Sequence, residues 1–434
     1  MAKYYLLIAC LCGIFYSSDL NSQGLAFNWQ ARASLPEAVS NNAVCAWTNQ
    51  SGQRFAFSFG GIDTSKQFSG IHLRSYRYDY NSDQWTAIAS IPDTLGKIAM
   101  GASMVKDKIY VIGGYHVFAN GGELSSDKVH VFNPQTNLWE ADAASIPVAI
   151  DDHVQLVWRD SLIFVITGWS DVTNIPNVQI FNPSTNQWSV GTSVPDNNLY
   201  KAFGASGILV GDTIVYTGGA RSTFNFPLSQ SIRFGVIDPA DPTQISWFEK
   251  SDTNALGYRQ AAVNVDGFAV WFGGSDQSYN YDGLAYTDGS GVPAESKIEF
   301  LNPLDLSIRV IQDTLPAIMD LRGIADFGNN SFLLAGGMEQ NQTVTDRVLF
   351  IDLLATSIDE VEEAFEPNIR IQSNRIYWEA FGSTESNATV FDLSGKMIAT
   401  DLQSGDLLDL EIGIVIVELI SEGERYSRVV GIGN

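Results

Sequence analysis

Short apolar runs that end in a glycine pair recur along the chain. The clearest copy extends from Ile109 to Trp139, IYVIGGYHVFANGGELSSDKVHVFNPQTNLW. In it an apolar run ends in two glycines, a polar loop follows, and a second run leads through Asn-Pro to tryptophan. Related segments are FAFSFGG, IFVITGW, IVYTGGA, AVWFGGS and FLLAGGM, which begin at Phe55, Ile163, Ile214, Ala269 and Phe332. About six copies at intervals of roughly fifty to sixty residues indicate a repeat architecture.

The pattern inside each copy predicts β-strands. Apolar or alternating runs of roughly four to eight residues, rich in Val, Ile, Phe, Tyr and Trp, are separated by Gly, Asn, Asp and Pro. The run before the glycine pair is almost entirely apolar, as in KIYVIGG, which is expected of a strand covered on both faces. Glycine at its end permits a positive φ or a close backbone approach. Asn-Pro favours a turn, and the following tryptophan fills the gap to the next sheet.

These coupled motifs resemble those of Kelch-repeat β-propellers of the galactose-oxidase-like, Kelch-type superfamily. The resemblance extends from about Phe27 to Leu354, and it implies an all-β fold with six blades. Two copies depart from the pattern: the third has TGW in place of the glycine pair, and the fifth has FLNPLDLSIRV without tryptophan. The details of these two blades are therefore less well defined by the motif.

The two ends of the repeat region predict how the ring closes. The sixth copy, FLLAGGMEQNQTVTDRVLFIDLLATS, never reaches a tryptophan. The early segment FNWQARASLP matches QWTAIASIP and LWEADAASIP, which follow the first and second copies. We therefore expect Trp29 to lie on the last strand of the sixth blade, so that both ends of the repeat region share one sheet and its free edge is protected.

The segments outside the repeats predict export. Residues 1–24 have an early lysine, a short apolar core and small polar residues, which is typical of a signal peptide. The propeller is expected at 25–355, an acidic linker at 356–368 and a small β-sandwich at 369–434. Three features of the tail resemble the C-terminal sorting domain of the type IX secretion system of Bacteroidetes. They are the segments VFDLSGKMI and GIVIVEL and the basic final strand around Arg425 and Arg428. The resemblance implies that this secretion machinery is a partner and that the protein is secreted or placed at the cell surface. An accessory sandwich that binds sugar or protein is the alternative.

Composition excludes several functions. A net charge of -24, from 49 acidic and 25 basic residues, repels nucleic acid and anionic membranes. No apolar run reaches the roughly 18 to 20 residues of a membrane-spanning helix. The chain contains no recognisable hydrolase, zinc-protease or phosphate-loop motif, and four histidines make a metal centre improbable. We therefore expect no metal and no cofactor. SYNYDGLAYTDG, from Ser278, only partly matches a calcium loop and is interpreted as a solvated loop. Cys45, alone after signal removal, is expected in a buried strand.

Charged and aromatic residues predict a ligand site at one end of the central channel. Aligning the starts of the innermost strands places one or two polar residues per blade there: Asn42, Lys97, Asp152 with His153, Lys201, Arg259 and Arg322. The loops after the glycine pairs should reach the same end and bring the aromatic residues Tyr115, Trp169, Phe224 and Tyr281. Clustered cations favour an anion, and aromatic faces favour a sugar ring, so a sialic or uronic acid is one hypothesis. The alternative is that the basic residues pair with acidic loops and the aromatic residues pack the blades.

Three functions are compatible with these features. The leading one is a binding module that recognises a glycan or a protein at the cell surface and needs no catalytic group. The second is an enzyme that resembles Kelch-type sialic acid mutarotases, in which Asp152, His153 and Arg322 would supply the acid-base groups. The third is a structural scaffold that binds no small molecule.

Overall fold

The computed structural model describes most of the chain. The described residues are 16–19, 25–302, 306–312, 315–355, 370–372, 375–377, 386–391, 397–406, 413–421 and 424–432. They divide into two compact units, residues 1–300 with 310–355, and residues 301–309 with 356–434. Each unit is described by itself.

The repeats form six antiparallel sheets, which are the blades of a β-propeller. In each blade the strands are hydrogen-bonded in chain order from the axis outward, except that the outer strand of blade 6 comes from the start of the chain. Blade 1 contains Ala43–Thr48, Arg54–Ile62, Ile71–Asp79 and Gln84–Ile88. Blade 2 contains Ile98–Val105, Lys108–Val117, Val129–Asn133 and Leu138–Trp139. Blade 3 contains Val154–Trp158, Leu162–Ile166, Val178–Asn182 and Gln187–Val190.

The remaining three blades follow the same plan. Blade 4 contains Ser206–Val210, Thr213–Thr217, Ser231–Ile237 and Ile245–Ser251. Blade 5 contains Ala261–Val265, Phe268–Phe272, Ile298–Asn302 and Ser307–Ile311. Blade 6 contains Ala325–Asp326, Ser331–Ala335, Val348–Ala355 and Leu25–Ala31. The predicted all-β fold with six blades is confirmed.

Short elements decorate the loops and edges. Arg322–Gly323 pairs parallel to the innermost strand of blade 1, and Glu123–Ser125 extends the sheet of blade 2. Two small hairpins and two single 3₁₀ turns lie in loops: Trp169–Ser170 with Thr173–Asn174, Met338–Glu339 with Thr343–Val344, Phe68–Gly70 and Gln340–Gln342. No helix long and apolar enough to cross a bilayer occurs among the described residues.

The ring closes through the N-terminal strand, as the tryptophan pattern predicts. Leu25–Ala31 pairs antiparallel to Val348–Ala355, with Trp29 opposite Ile351. Phe27 is buried in a core cluster with Phe332 of blade 6 and Phe272 of blade 5. Residues from opposite ends of the repeat region therefore share one sheet and one core.

An additional strand lies outside this closing strand. Tyr16–Asp19 pairs antiparallel to residues 26–29. The rest of the predicted signal peptide, residues 1–15 and 20–24, lies outside the described residues. The signal peptide stays a prediction.

The outer-strand tryptophans connect successive blades through one repeated hydrogen bond. The indole N–H of Trp139 in blade 2 donates to the carbonyl of Ala89, which follows the outer strand of blade 1, at 2.8 Å. Trp188 makes the same bond to Ala144 at 2.8 Å. Equivalent bonds are Trp85 to Ala33 and Trp247 to Thr192. A large ring with one polar edge fills the widening gap between sheets and satisfies a carbonyl there, which explains why tryptophan recurs at this position.

The glycine pair permits the neighbouring blade to come close. Gly113 and Gly114 have φ of 68° and 84°, in the left-handed region that favours glycine. A Cβ on Gly113 would lie 2.3 Å from the carbonyl oxygen of Ile150, which leads into blade 3. The Gly114 N–H donates to that same carbonyl at 3.0 Å. The strand continues through the pair to Val117, and the pair bonds it to the segment that leads into the next blade.

The C-terminal unit contains a four-stranded sheet in the order Met397–Leu402, Ser386–Phe391, Gly413–Ser421 and Glu424–Ile432. Arg370–Gln372 and Arg375–Tyr377 form a separate hairpin. The three features that resemble the sorting domain fall on these four strands, and the predicted linker 356–368 lies outside the described residues. The sandwich arrangement, the domain boundaries and the sorting role stay predictions.

The closing strand should carry a measurable share of the stability of the propeller. We expect Phe27→Ala to lower the free energy of unfolding by about 3 to 5 kcal/mol, because it empties a packed site shared by two blades. Urea denaturation followed by tryptophan fluorescence measures this. The matched control is Phe224→Ala, at a side chain that is 91% exposed, where the change should stay within about 0.5 kcal/mol. Equal effects of the two substitutions would contradict closure by this strand.

Candidate functional site

Six residues with a left-handed backbone, one from each blade, encircle the propeller axis where the innermost strands begin. They are Asn41, Ala99, Asp152, Gly204, Arg259 and Asp320, with φ between 46° and 66°. The N–H groups of Asp152, Gly204 and Arg259 donate to the ring residue of the preceding blade at 3.1, 2.8 and 2.8 Å. Asn41 donates to Asp320 at 3.2 Å, and the side-chain oxygen of Asn41 accepts from Ala99 at 2.8 Å. Leu321, next to Asp320, donates to Arg259 at 2.9 Å, so the six blades are hydrogen-bonded around the axis.

Arg259 lies in the middle of this ring and is neutralised by two carboxylates. Its Nε and one terminal nitrogen donate to the two oxygens of Asp152 at 3.1 and 2.5 Å. Its other terminal nitrogen donates to Asp320 at 2.8 Å. Asp320 also accepts from the Ser40 hydroxyl at 2.6 Å and the Asn41 amide at 3.0 Å. Arg259 is 1% exposed. Its guanidinium is therefore buried in ion pairs and is not accessible to a ligand.

Arg322 and His153 lie beside the ring. One terminal nitrogen of Arg322 donates to the His153 carbonyl at 2.9 Å, and the other lies 3.5 Å from Asp152. Burial and the nearby Arg322 charge lower the pKa of His153 to about 4, so the imidazole is neutral near pH 7. Its Nε2 lies 3.0 Å from the Gln155 side-chain oxygen, and the Gln155 amide donates to Ser103 at 2.8 Å. This network assigns the imidazole proton to Nε2.

Buried aromatic side chains cover the circle of left-handed residues. The Arg259 guanidinium lies over the rings of Tyr258 and Tyr279, at 5.0 and 5.5 Å from their centroids. Trp169 packs edge-on against Phe203 and Phe226 at 5.4 and 5.7 Å. Most of the aromatic residues expected to stack on a sugar are therefore packed against protein, and Tyr115 is also buried. Tyr281 is partly buried against a cluster that includes Tyr115, and Phe224 is exposed.

A third buried carboxyl group lies beside the ring. Asp151 is buried and accepts a hydrogen bond from the Ser125 hydroxyl at 2.6 Å. Burial and the neighbouring Asp152 raise the pKa of Asp151 well above its ordinary value. Burial therefore disfavours a further negative charge beside the two carboxylates that bind Arg259.

A cavity of about 300 Å³ lies along the axis between the innermost strands. All six blades contribute to its wall. Arg322 and His153 line it near the ring, and Ser103, Gln155, Ser206 and Gln260 add polar side chains. Asp326, near the end of the innermost strand of blade 6, lines it and is exposed. The arrangement is a narrow channel with one arginine at its inner end.

The structure brings together only part of the predicted basic site. Arg259, Arg322, Asp152 and His153 lie together, whereas Lys97 and Lys201 bind elsewhere. The Lys97 ammonium is buried and contacts Asp93 at 2.6 Å, Ser126 at 3.0 Å and His130 at 3.2 Å. Lys201 pairs with Asp196 at 2.6 Å. Asn42 points away from the axis network and donates to Ser58 at 2.8 Å and to the Ala335 carbonyl at 3.1 Å.

The difference has a physical cause in the segments that enter each blade. These segments differ in length, so counting back from the glycine pair misses the ring position by one residue in blade 1, by two in blades 2 and 6, and by three in blade 4. The ring residues in these four blades are Asn41, Ala99, Asp320 and Gly204. Asn, Asp and Gly tolerate a left-handed backbone, and this preference was the signal that could have aligned four of the six positions. Arg259 and Ala99 lack it.

No group of three or more metal-ligating side chains occurs among the residues that the structure describes. The segment Ser278 to Gly289, which partly matches a calcium loop, packs as an ordinary loop. Tyr279 is buried in it and forms a β-bridge to Ala285.

Exposed apolar side chains gather on one end of the propeller. We define the loop face as the loops between the second and third strands of the blades, together with the connections from each outer strand to the next blade. In an antiparallel blade these segments all lie at the end where the innermost strand begins. Eight of the large apolar side chains that are exposed among the described residues lie here: Phe68, Leu95, Phe118, Leu124, Val172, Leu199, Phe224 and Leu284.

Hydrogen bonds tie the neighbouring loops of this face together. The Asp171 carboxylate of blade 3 accepts from the Ser125 N–H of blade 2 at 3.0 Å, and the Ser125 hydroxyl accepts from the Asp171 N–H at 2.9 Å. The Thr173 hydroxyl of blade 3 donates to Ser222 of blade 4 at 3.2 Å. The loops of blades 4 and 5 are joined by Ser278, which donates to the Phe226 carbonyl at 2.6 Å. Blades 2 to 5 therefore present one connected surface.

Known proteins share this architecture. The profile of the KLHDC2/KLHL20/DRC7 Kelch-repeats domain matches residues 13–226. The solved structure of YjhT covers 80% of this chain and 99% of its own, with a TM-score of 0.58 and 16% identity, which shows a shared fold. The chain carries a Kelch-repeat domain.

Curated relatives of this Kelch propeller have varied names. Acyl-CoA-binding domain-containing protein 4 of Arabidopsis thaliana is 25% identical over 64% of this chain and 40% of its own length. Kelch-like protein 38 of Homo sapiens is 24% identical over 45% of this chain and 30% of its own. N-acetylneuraminate epimerase of Shigella flexneri is 29% identical over 30% of this chain and 34% of its own. The chain thus spans 30 to 40% of the length of these relatives. The Kelch propeller fold supports a binding or scaffold role.

The Arg259 network should be a main determinant of the stability of the Kelch propeller. We expect Arg259→Met to lower the free energy of unfolding by about 3 to 5 kcal/mol, because Asp152 and Asp320 would keep buried charge without its partner. Urea denaturation at neutral pH measures the loss.

Arg159→Met is the matched control for this substitution. Arg159 has nearly the same left-handed φ as Arg259, 50° against 51°, and pairs with Asp212 at 2.9 Å on the surface. Its loss should cost less than about 1 kcal/mol. A small effect at Arg259 as well would show that the ring is not held by this ion pair.

Proposed function

We propose that the Kelch propeller is a binding module that recognises a protein partner through its loop face. The observation that carries this proposal is the placement of exposed apolar side chains, of which the loop face has one or more in each of blades 1 to 5. Apolar groups left in water contribute nothing to the stability of the fold, and clusters of them are typical of interaction surfaces. Because the loops are bonded to one another, the surface is ordered before a partner arrives, which reduces the entropy lost on binding.

The burial of the axis residues argues for a protein ligand over a glycan on this face. A sugar carboxylate needs an accessible cation, whereas Arg259 is enclosed by Asp152, Asp320 and two tyrosines. A sugar ring needs an accessible aromatic face, whereas Trp169 and Tyr115 pack against protein. A protein surface needs only apolar contact area with a polar rim, and the loop face supplies both.

The site of action in this proposal is outside the cytoplasm. The signal-peptide pattern of residues 1–24 and the resemblance of residues 369–434 to the type IX sorting domain support it. The partner is then a protein of the cell surface or the medium. The export machinery would contact the C-terminal unit.

A second candidate is acceleration of anomer exchange of an acidic sugar in the axial channel. The observations that favour it are the likeness to N-acetylneuraminate epimerase and the presence of Arg322 and His153 in the channel wall. We expect such activity to appear as faster exchange between the anomers of N-acetylneuraminic acid by NMR, and to be lost in Arg322→Ala. Exchange at the uncatalysed rate with the wild-type protein removes this candidate.

Binding through the loop face makes a specific prediction about charge introduced on that face. The full chain is immobilised and exposed to surface and culture-medium proteins of the cells that make it. Three forms are compared. They are the wild type, a loop-face form with Phe68→Asp, Leu124→Asp and Phe224→Asp, and an outer-strand form with Leu138→Asp and Val190→Asp. The last pair lies on outer strands and is 61% and 73% exposed. We expect the capture of a partner, quantified by mass spectrometry, to fall at least about ten-fold in the loop-face form only.

The outer-strand form controls for the addition of negative charge and for the removal of exposed apolar side chains. Proteins captured equally by all three forms, or lost only in the outer-strand form, would contradict the loop face as the binding surface.

A further inference from the structure

The loop face is not uniform, and its blades 3 to 5 carry its most pronounced features. Val172 and Phe224, which are 80% and 91% exposed, are the most exposed large apolar side chains of the described residues. Beside them lies a cleft of about 230 Å³ between the loops of blades 4 and 5. Asn225, Pro227, Leu228, Leu256, Asp276 and Thr287 form most of its wall. We call Val172, Phe224 and this cleft the blade 3–5 patch.

The three parts of the patch are physically continuous. Thr173, next to Val172, donates its hydroxyl hydrogen bond to Ser222, two residues before Phe224. Asn225, next to Phe224, is part of the cleft wall. A bound segment of extended chain that contacts Val172 and Phe224 therefore continues directly into the cleft.

The turn that carries Phe224 is held in a strained conformation. The Arg221 N–H donates to the Pro227 carbonyl at 3.0 Å, and the Phe226 N–H donates to the Thr223 carbonyl at 2.9 Å. Asn225 and Phe226 are both left-handed, with φ of 63° and 45°. A left-handed backbone is costly for a bulky residue such as phenylalanine. The cost is offset because the Phe226 ring packs against Trp169 and Tyr286 at 5.7 and 4.8 Å.

This turn holds Phe224 outward while anchoring Phe226 inward. The fold thus tolerates local strain in order to present an aromatic ring to water, where the ring contributes nothing to the core. Strain of this kind is typical of binding sites, in which an ordered contact residue reduces the entropy lost when a partner binds.

The charges around the patch select the chemistry of the partner. In the loops between the second and third strands of all six blades, acidic residues outnumber basic ones two to one. Asp276 lies in the cleft wall, and the Lys297 ammonium that pairs with it also pairs with Glu299 at 2.6 Å. Lys297 and Glu299 are buried, whereas the Asp276 side chain is 44% exposed in the cleft wall, so the cleft favours an incoming cation over an anion.

We propose that the blade 3–5 patch binds a basic and apolar peptide segment of the partner protein, with aromatic or aliphatic side chains against Val172 and Phe224 and a lysine or arginine in the cleft. This proposal rests on the proposed function, and it adds the location and the chemistry of the bound segment. A basic side chain of extended form fits a cleft of this volume, and its methylene groups pack against Leu228 and Leu256.

The test uses a displayed library of random linear peptides selected on the full-length protein. We expect the enriched peptides to combine lysine or arginine with aromatic or aliphatic residues. Synthetic copies of them should bind Val172→Asp and Phe224→Asp at least about ten-fold more weakly than wild type by isothermal titration calorimetry. Asp276→Asn should weaken basic peptides and leave a variant peptide with glutamine in place of its basic residue unaffected.

Matched controls keep folding and charge effects apart. Val190→Asp and Leu138→Asp introduce the same charge at exposed apolar positions of outer strands and should bind the peptides as wild type does. All four aspartate variants should melt at the wild-type temperature because their side chains lie largely in water. If Phe224→Asp unfolds the loop, Phe224→Ala takes its place.

The outcomes separate this proposal from the proposed function. Enriched peptides that are acidic, or no enriched peptides, overturn the proposed basic segment. Peptides that lose affinity for Phe68→Asp or Leu124→Asp but not for Val172→Asp and Phe224→Asp overturn the patch and keep the loop face. Peptides that depend on Val190 or Leu138 contradict both the patch and the loop face.

Discussion

The buried guanidinium of Arg259 is the interaction on which the centre of the propeller depends. A positive charge removed from water is stable only when carboxylates and hydrogen bonds replace its hydration. Asp152 and Asp320 do this from blades 3 and 6, and Asp320 in turn holds Ser40 and Asn41 at the entry to blade 1. One side chain of blade 5 thereby connects four of the six blades. The backbone hydrogen bonds between the left-handed residues complete the same circle, so sheet packing at the periphery and ion pairing at the axis constrain each other.

This closure decides where a ligand can bind. The charges at the axis are paired and covered by tyrosines. A molecule that approaches the loop face therefore contacts loops and exposed apolar side chains and does not reach the Arg259 guanidinium. The axial channel on the other side of the ring remains a separate space, lined by Arg322 and His153. His153 is neutral there, and Arg322 is already bonded to the His153 carbonyl and close to Asp152, whereas Asp326 is exposed in the channel wall.

The fold was predictable because its signals repeat. The glycine pairs, the tryptophans and the Asn-Pro turns report packing that recurs in each blade, and the absence of a tryptophan in the sixth copy pointed correctly to Trp29 as the outer strand. The indole bond from Trp139 to Ala89 and its equivalents explain why the tryptophan signal is strong. Repeated structure averages out the errors of reading any one segment.

The candidate site was less predictable because it depends on features that do not repeat. The entry segments of the blades differ in length, and whether Lys97 reaches the axis or folds back onto Asp93 is decided by tertiary contacts such as those with His130 and Ser126. The aromatic residues of the loops show the same limit. Phe224 and Phe226 are two residues apart and chemically identical, yet the left-handed turn sends one into the core and the other into water. Composition registers both as aromatic, and only the backbone geometry separates a packing residue from a residue that is free to contact a partner.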